Sequence, residues 1–403
     1  MTRRMLLQGM GALFRAHVIY DPPERGGVAM HVVDVSMFYA GAGGGVSTYL
    51  DAKARWLAGR AGMRHTIASP NLPAHAGAVA QAGPPHTAAI PGLVLPGLHG
   101  YRFPRSADAA AAVLLRLEPD LIEAGDAGPC AWGAVRAKQR LGVPLVAFYH
   151  SDLEQLIRCR FGTVAARLAQ QYMCQLFEHC DLLLAPSAAM VRRLAGMGLH
   201  AHQQPLGIDT DIFHPRRGAG RLREELDLPE SARLLVYAGR FSSTKKLDVL
   251  ASAVCRLGAP YHLLMIGGRA HQRIGPVSVL PFQSNQRALA RLLAGCDALV
   301  HPGDSETFGL IVLEAMACGL PAVVTSGGGI AELVTPGTGV VVAPNSVAAL
   351  CEGIDALYRQ NPAAMGDYAR RTVCALYDWD RIMPQMLSHY DALLARSVAC
   401  AGH

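Results

Sequence analysis

The sequence predicts an α/β protein made of two doubly wound parallel-sheet domains facing a cleft. Three observations predict it. Short apolar runs alternate with longer helical patterns along the whole chain. The alternation breaks once, near residues 205–220, and then restarts. In each half an apolar run feeds a loop rich in glycine or charge and then a helix, the local grammar of parallel sheets covered by helices. At 403 residues the chain exceeds one ordinary domain and suits two.

Composition narrows the class. With 51% apolar and 17% charged residues, the chain is neither disordered nor fibrous. No run of eighteen apolar residues occurs, so no membrane-spanning helix is expected. Arg3 and Arg4 ahead of Met5–Leu7 imitate a signal peptide, but Gln8 and Arg15 interrupt the apolar stretch and no cleavage site follows. Residues 1–29 are therefore read as an N-terminal extension. None of the ten cysteines forms a C-x-x-C pair or zinc spacing. They read as small buried residues of a reducing compartment, so the expectation is a cytoplasmic protein with no metal. The net charge of +6 comes without a dense basic stripe interleaved with aromatics, which argues against nucleic acid. A phosphate-bearing substrate or the anionic inner face of a membrane suits it.

Taken in order, 30–38 reads as a buried strand. It runs into Gly41, Gly43, Gly44 and Gly45 and then a helix over 46–59. Gly44 and Gly45 would let backbone N–H groups approach a phosphate or sugar, although a plain tight turn has the same look. Strands are predicted over 120–123, 145–149 and 182–185, and helices over 107–117 and 164–179, completing a domain over 30–206. The turn-rich segment 205–215 marks the boundary. Beyond it strands are predicted over 234–238, 262–266, 277–280, 298–301 and 322–325, and helices over 247–257, 286–294, 310–318 and 347–358. These make a second domain over 207–384, followed by a last helix in 385–403.

The chemistry concentrates at strand ends. Glu306 falls in the loop after the strand ending at His301, and Glu314 follows eight residues later inside an apolar helix. An acid among Val312, Leu313, Ala315 and Met316 needs a partner, and a ribose diol would supply two donors. The N–H groups of that helix's first turn make an anion site. Either acid alone would read as solvated or as a structural ion pair. After a second strand come Arg240 and Lys245, a fork and a point charge suited to a diphosphate and to the charge on a departing nucleotide. His150 ends the strand 145–149 at the cleft edge, placed to hydrogen-bond a sugar hydroxyl or carry a proton. Arg158, Arg160 and Arg167 with Phe161, Val164 and Leu168 form a basic amphipathic stretch of the kind that rests on anionic membranes or simply faces solvent.

These residues together resemble the retaining glycosyltransferases of family 4, with the GT-B fold. The resemblance rests on the Glu306/Glu314 spacing with Phe308-Gly309 and Glu-Ala-Met-Ala-Cys-Gly, the loop 43–45, His150, the segment 205–215, Gly239-Arg240 with Lys245, and Tyr377-Asp-Trp379-Asp. It implies two Rossmann-like domains, the donor held mainly by the second and the acceptor by the first. Arg240 and Lys245 would hold the diphosphate, Glu314 the ribose, Glu306 the transferred sugar, and His150 would face the reacting carbon. Backbone N–H groups of Phe308, Gly309 and Leu310 would complete the donor site. Retention would proceed without a protein nucleophile, a donor phosphate oxygen helping to take the acceptor's proton. The last helix would cross back onto the first domain. Two departures stand out. Lys246 replaces the glycine that usually follows the lysine, and the turn over 266–274 is shorter and more basic than usual.

The donor expected is a nucleotide diphosphate sugar, with GDP-mannose ahead of a UDP-hexose. The acceptor is a glycan, lipid or small glycoside hydroxyl, and no cofactor is expected. A binding protein without turnover, and a GT-B epimerase or phosphorylase, stay open as alternatives.

Overall fold

The computed structural model describes residues 30–39, 43–72, 85–94, 101–217 and 221–401. The expected N-terminal extension and Gly41 lie outside the described residues.

The first half runs β1 (Met30–Val35), α1 (Gly45–Ala58), β2 (Met63–Ser69), β3 (Thr87–Ala89), β4 (Gly92–Val94), β5 (Arg102–Pro104), α2 (Ala107–Leu117), β6 (Leu121–Ala124), α3 (Pro129–Leu141), β7 (Leu145–Phe148), α4 (Leu153–Phe177), β8 (Leu182–Ala185), α5 (Ala188–Ala195) and β9 (His202–Gln203). The second half runs β10 (Arg233–Ala238), α6 (Leu247–Leu257), β11 (Tyr261–Gly268), β12 (Gln272–Ile274), β13 (Val277–Pro281), α7 (Gln286–Ala294), β14 (Ala298–His301), α8 (Leu310–Ala317), β15 (Ala322–Thr325), β16 (Gly339–Val342), α9 (Val347–Arg359), α10 (Pro362–Leu376) and α11 (Trp379–Ala401).

The central strands are mostly apolar runs buried along their length, β1, β6, β7, β14 and β15 completely, as parallel strands covered on both faces must be. The helices carry apolar stripes and local caps. In α2 Ser106 accepts the Ala109 N–H at 3.1 Å, and Ala110, Val113 and Leu114 turn inward. The chain is thus α/β throughout. One sheet has the order β3-β2-β1-β6-β7-β8-β9 and the other β12-β13-β11-β10-β14-β15-β16. Among the described residues only β12 pairs antiparallel within them. The order reverses beside β1 in the first sheet and beside β10 in the second. Such switch points open crevices at strand C-terminal ends, where open α/β sheets take their ligands.

The chain crosses between the sheets twice, side by side. Ile208 N–H donates to the Tyr377 carbonyl at 2.8 Å, and Trp379 N–H to the Ile208 carbonyl at 3.2 Å. Gly207 is needed there, because a Cβ would stand 2.6 Å from the Trp379 ring. α11 then packs on the first domain. Trp56 Nε1 donates to Asp380 at 2.8 Å, and Tyr390 enters a fully buried polar cluster with Lys53, Asp34 and Glu123.

Several expectations need correction. β1 stops at Val35 rather than 38, because the Asp126 carboxylate draws the Met37 N–H out of the ladder at 2.7 Å. α4 begins at Leu153, well ahead of 164. Asp152 caps it through the Gln155 N–H at 3.1 Å, and Gly162, at φ 81°, breaks its helical period. α11 begins at Trp379 rather than 385. β2 and β16 were not foreseen. β2 hides His65 and Thr66 in its buried face, which masks the apolar alternation.

Candidate functional site

The switch point of the second sheet gathers most of the predicted donor residues. β10 and β14 pair in parallel, so their C-terminal ends lie side by side and deliver Arg240 and His301 to one crevice. The loop after β10 makes a short turn over Ser243–Lys245, and the loop after β14 carries Glu306. The structure joins the two loops: Lys245 Nζ forms an ion pair with Glu306 Oε1. The predicted diphosphate cation and sugar-reading acid are thus each other's partners in the free site. Burial pushes the Glu306 carboxyl upward in pKa, but Lys245, His301 and Arg240 outweigh it and leave it below its ordinary value. Arg240 is exposed and makes no hydrogen bond or ion pair among the described residues. Lys246 takes the left-handed conformation at φ 51°, so the turn that glycine would favour is kept by a lysine.

His301 is a site residue the sequence reading missed. Its ring is buried, and burial pulls its pKa down to about 4, so it is neutral near pH 7. Nδ1 accepts the Gly303 N–H at 3.2 Å, which places the proton on Nε2, 3.5 Å from Glu306 Oε1. The signal was present: His301 ends an apolar strand just as His150 follows one. Tyr237 lies beneath, its ring centroid 5.4 Å from that of His301 and its buried hydroxyl without a hydrogen-bond partner.

Glu314 stands one turn into α8, a helix apolar on all sides and therefore buried. It is 8% exposed and accepts no hydrogen bond among the described residues. Burial alone raises its pKa to about 7. Neither α8, entered through Gly309, nor α1, entered through Gly44, has a side-chain cap, so their first N–H groups are left for a ligand. The two helix starts approach each other across the cleft: a Cβ on Gly45 would lie 3.6 Å from Leu310 Cδ1, and one on Gly43 3.4 Å from Ser284 Cβ. The Phe308 side chain is buried against Tyr377, leaving only its backbone for ligand contact.

His150 faces this loop from the first domain. Its carbonyl accepts the Thr307 hydroxyl at 2.8 Å. Its ring stacks on Phe148 at 4.2 Å and lies 5.0 Å from Tyr49. Nε2 is buried without a partner, and burial lowers the pKa to about 3. A neutral imidazole with an open nitrogen can exchange a hydrogen bond with a hydroxyl, but it holds no proton to donate as an acid at neutral pH. Nearby Asp126 is occupied, accepting the Met37 and Gly128 N–H groups at 2.7 and 2.8 Å. Asp209 caps the interdomain turn through the Ile212 N–H at 2.8 Å, a structural role.

Comparisons with known proteins agree with this layout. Residues 43–212 match the family model described as Glycosyltransferase Family 4, and residues 219–372 that described as Glycosyl transferases group 1. A GDP-mannose-dependent alpha-(1-6)-phosphatidylinositol dimannoside mannosyltransferase of Mycobacterium tuberculosis is 30% identical over 331 residues, 77% of this chain and 83% of that one. A GDP-mannose-dependent alpha-mannosyltransferase of Mycolicibacterium smegmatis is 29% identical over 70% of this chain and 76% of its own. Among solved structures, sucrose-phosphate synthase from Thermosynechococcus elongatus superposes with a TM-score of 0.75 at 22% identity, covering 91% of this chain and all of that one (100%). Anabaena HepE in complex with UDP-glucose gives 0.71 at 19% identity, covering 90% and 100%.

Proposed function

Since the chain belongs to the family 4, group 1 glycosyltransferases of GT-B fold, and is thus a nucleotide-sugar hexosyltransferase, we propose that it transfers mannose from GDP-mannose with retention to a hydroxyl of a lipid-linked glycan acceptor. Glu314 carries the reading. A buried acid without a protein partner among the described residues, one turn into an uncapped helix that follows the Glu306 loop, suits the ribose of a nucleotide diphosphate. The names of the mannosyltransferase relatives favour guanosine and mannose, and one of them names a mannosylated phosphatidylinositol as acceptor.

In this reading the bond from the sugar carbon to phosphate oxygen breaks, and the charge left on the nucleotide diphosphate is met by Arg240, Lys245 and the N–H groups opening α8. The acceptor hydroxyl attacks on the face being vacated, and a donor phosphate oxygen takes its proton. Asp126 is fully engaged and His150 is neutral, which supports a path without a protein nucleophile or acid. The reaction is proposed to need neither a metal ion nor a cofactor, the charge on the leaving group being met by Arg240 and Lys245. No described helix is long and apolar enough to cross a membrane. α4, however, exposes Leu156, Phe161, Val164 and Leu168 beside Arg160 and Arg167, and no acid occurs between Glu154 and Glu178. It is proposed to meet the anionic inner face of a membrane from the cytoplasm.

Melting curves with GDP, UDP and their sugars test the donor, since a ligand of the folded state raises the melting point. Labelled GDP-mannose with lipid extracts then tests transfer, and NMR of the product's anomeric proton tests retention. A larger shift with UDP than with GDP, an inverted anomer, or turnover abolished by a chelator would overturn the corresponding part.

A further inference from the structure

A second set of contacts closes the cleft away from the donor residues, and it centres on Glu332. This residue sits in the short 3-10 turn Gly329–Leu333, just after β15 in the second domain. Its side chain reaches the first domain. Oε2 accepts the Ala188 N–H at 2.9 Å, Oε1 accepts the Ala189 N–H at 2.6 Å, and Arg192 Nη2 donates to Oε1 at 3.1 Å. A carboxylate thus occupies the N-terminus of α5, where backbone donors and the helix dipole both favour an anion. Beside it Ser187, which caps α5 through the Met190 N–H at 3.3 Å, donates its hydroxyl to the Thr307 carbonyl at 2.8 Å.

The clasp is wired to the donor loop. Gly329 N–H donates to the Glu306 carbonyl at 2.7 Å. A Cβ on Gly328 would lie 2.4 Å from that carbonyl oxygen, and one on Gly329 2.2 Å from the Thr307 oxygen. Only glycine lets the Glu332 turn lie flat on the Glu306–Thr307 backbone. Thr307 in turn donates to the His150 carbonyl at 2.8 Å. The pull of α5 on Glu332 is therefore passed to the acid that faces the sugar and to the histidine opposite. No donor role falls to Glu332 itself, and the covalent crossovers at Ile208 and Asp378 are a separate connection.

We propose that Glu332 is a positioning residue: clasped by α5 and Arg192, it holds the Glu306–Thr307 loop against His150 in the closed cleft and releases it when the cleft opens. The clasp sets geometry between the two domains, while Arg240, Lys245 and Glu314 bind the nucleotide within one of them. A displacement of about 1 Å between reacting groups costs on the order of a hundredfold in rate, so a loosened clasp is expected to be read in turnover and not in nucleotide affinity.

Small-angle scattering on the full chain, with nucleotide diphosphate titrations and donor turnover, tests this on three variants. Glu332→Ala removes the clasp from one side and Arg192→Met weakens it from the other. Ala188→Pro deletes one donor N–H at the first position of a helix, where proline is accepted. Expected are a larger radius of gyration for Glu332→Ala, turnover down about tenfold to a hundredfold, diphosphate affinity within about threefold of the parent, and smaller changes of the same sign for the other two. Glu332→Asp should recover part of the closure. Scattering reads closure without any donor or acceptor, so it stands even if the donor is not GDP-mannose. An unchanged radius of gyration in all three variants, or diphosphate affinity falling in step with turnover, would overturn the proposal.

Discussion

Lys245 and Glu306 reach toward each other from the ends of two adjacent strands and pair in the free site, with His301 Nε2 3.5 Å from the same carboxylate oxygen. In the proposed donor complex the nucleotide sugar divides them, drawing the ammonium to phosphate and leaving the carboxylate for sugar hydroxyls. The pair acts as a placeholder that keeps both side chains aimed into the crevice.

Replacing Lys245 by Met should raise the pKa of Glu306. Burial drives that carboxyl up and Lys245 is the largest influence holding it down. In the parent the carboxylate persists to below the usual range as pH falls, so activity should survive mild acid. In Lys245→Met the acid limb of kcat/KM should move to higher pH, and turnover near pH 7.5 should drop about a hundredfold to a thousandfold with loss of leaving-group stabilisation. A pH–rate profile of both proteins checks it, and an unmoved acid limb would count against the pairing.

Glu314→Gln should stabilise the free protein and weaken donor binding. The folded-state pKa of about 7 lies above the ordinary 4.5, so the proton on Glu314 favours the folded state. Its contribution is full below about pH 4.5 and is lost as pH rises through 7, amounting to about 3 kcal/mol. The glutamine variant should be free of that loss and unfold at higher denaturant concentration at pH 8. Conversely, the parent should bind nucleotide diphosphate more tightly at pH 8 than at pH 6, because the ionised carboxylate is the better acceptor for ribose hydroxyls. Urea unfolding and binding titrations at the two pH values decide both halves.

The sequence made some of this legible and not the rest, for physical reasons. Helices 107–117, 247–257 and 286–294 were readable to the residue, because each has a regular apolar stripe and the first and third start at a capping Ser106 or Asn285. Glu314 was readable because a charged residue in an apolar run needs explaining, and Glu306 because it lies in the loop between a strand end and that helix. β2 was hidden, since His65 in its buried face is balanced by Asp34, a partner far away in sequence. The same holds for the Lys245 pairing, for His301 and for Glu332, whose partners are set by which loops the fold brings together. Gly162 hid the first turns of α4 by breaking their period.

His150→Phe should lower turnover about tenfold to a hundredfold while leaving nucleotide diphosphate affinity unchanged. Phenylalanine keeps the stack on Phe148, held at 4.2 Å in the parent, and removes only the ring nitrogens. Since the parent imidazole titrates near 3, no limb of the rate profile around pH 6.5 should belong to it. Steady-state kinetics with an isothermal binding titration tests the split. Equal losses in affinity and rate would move His150 from the sugar to the nucleotide.

On α4, Phe161→Ser with Leu168→Ser should abolish sedimentation with vesicles of mixed phosphatidylcholine and phosphatidylglycerol. Arg160→Gln with Arg167→Gln should make the remaining binding less sensitive to salt. The apolar side chains supply insertion and the arginines supply attraction that is screened within about 10 Å at ordinary ionic strength. Equal binding of parent and variants would remove α4 as the membrane-facing surface without touching the chemistry proposed for the cleft.

The last helix is tied to the first domain by charge as well as by packing. Lys53 is fully buried, 2.8 Å from Asp34 and 3.2 Å from Glu123, and donates to the Tyr390 hydroxyl of α11 at 2.7 Å. Tyr390 donates in turn to Glu123, and Tyr49, whose ring lies against His150, donates to the other Glu123 oxygen at 2.8 Å. Lys53→Met leaves two acids in the core without their cation and should destabilise the protein by about 3–5 kcal/mol. Tyr390→Phe removes one hydroxyl from the same cluster and should cost about 1–3 kcal/mol. If the cluster works as one unit, Lys53→Met combined with Tyr390→Phe should cost less than the sum, because the second change acts on a network already broken. Urea unfolding of the four proteins measures the coupling. Strict additivity would mean that α11 is held by its apolar face, Met383, Met386 and Leu387, with the charges as bystanders.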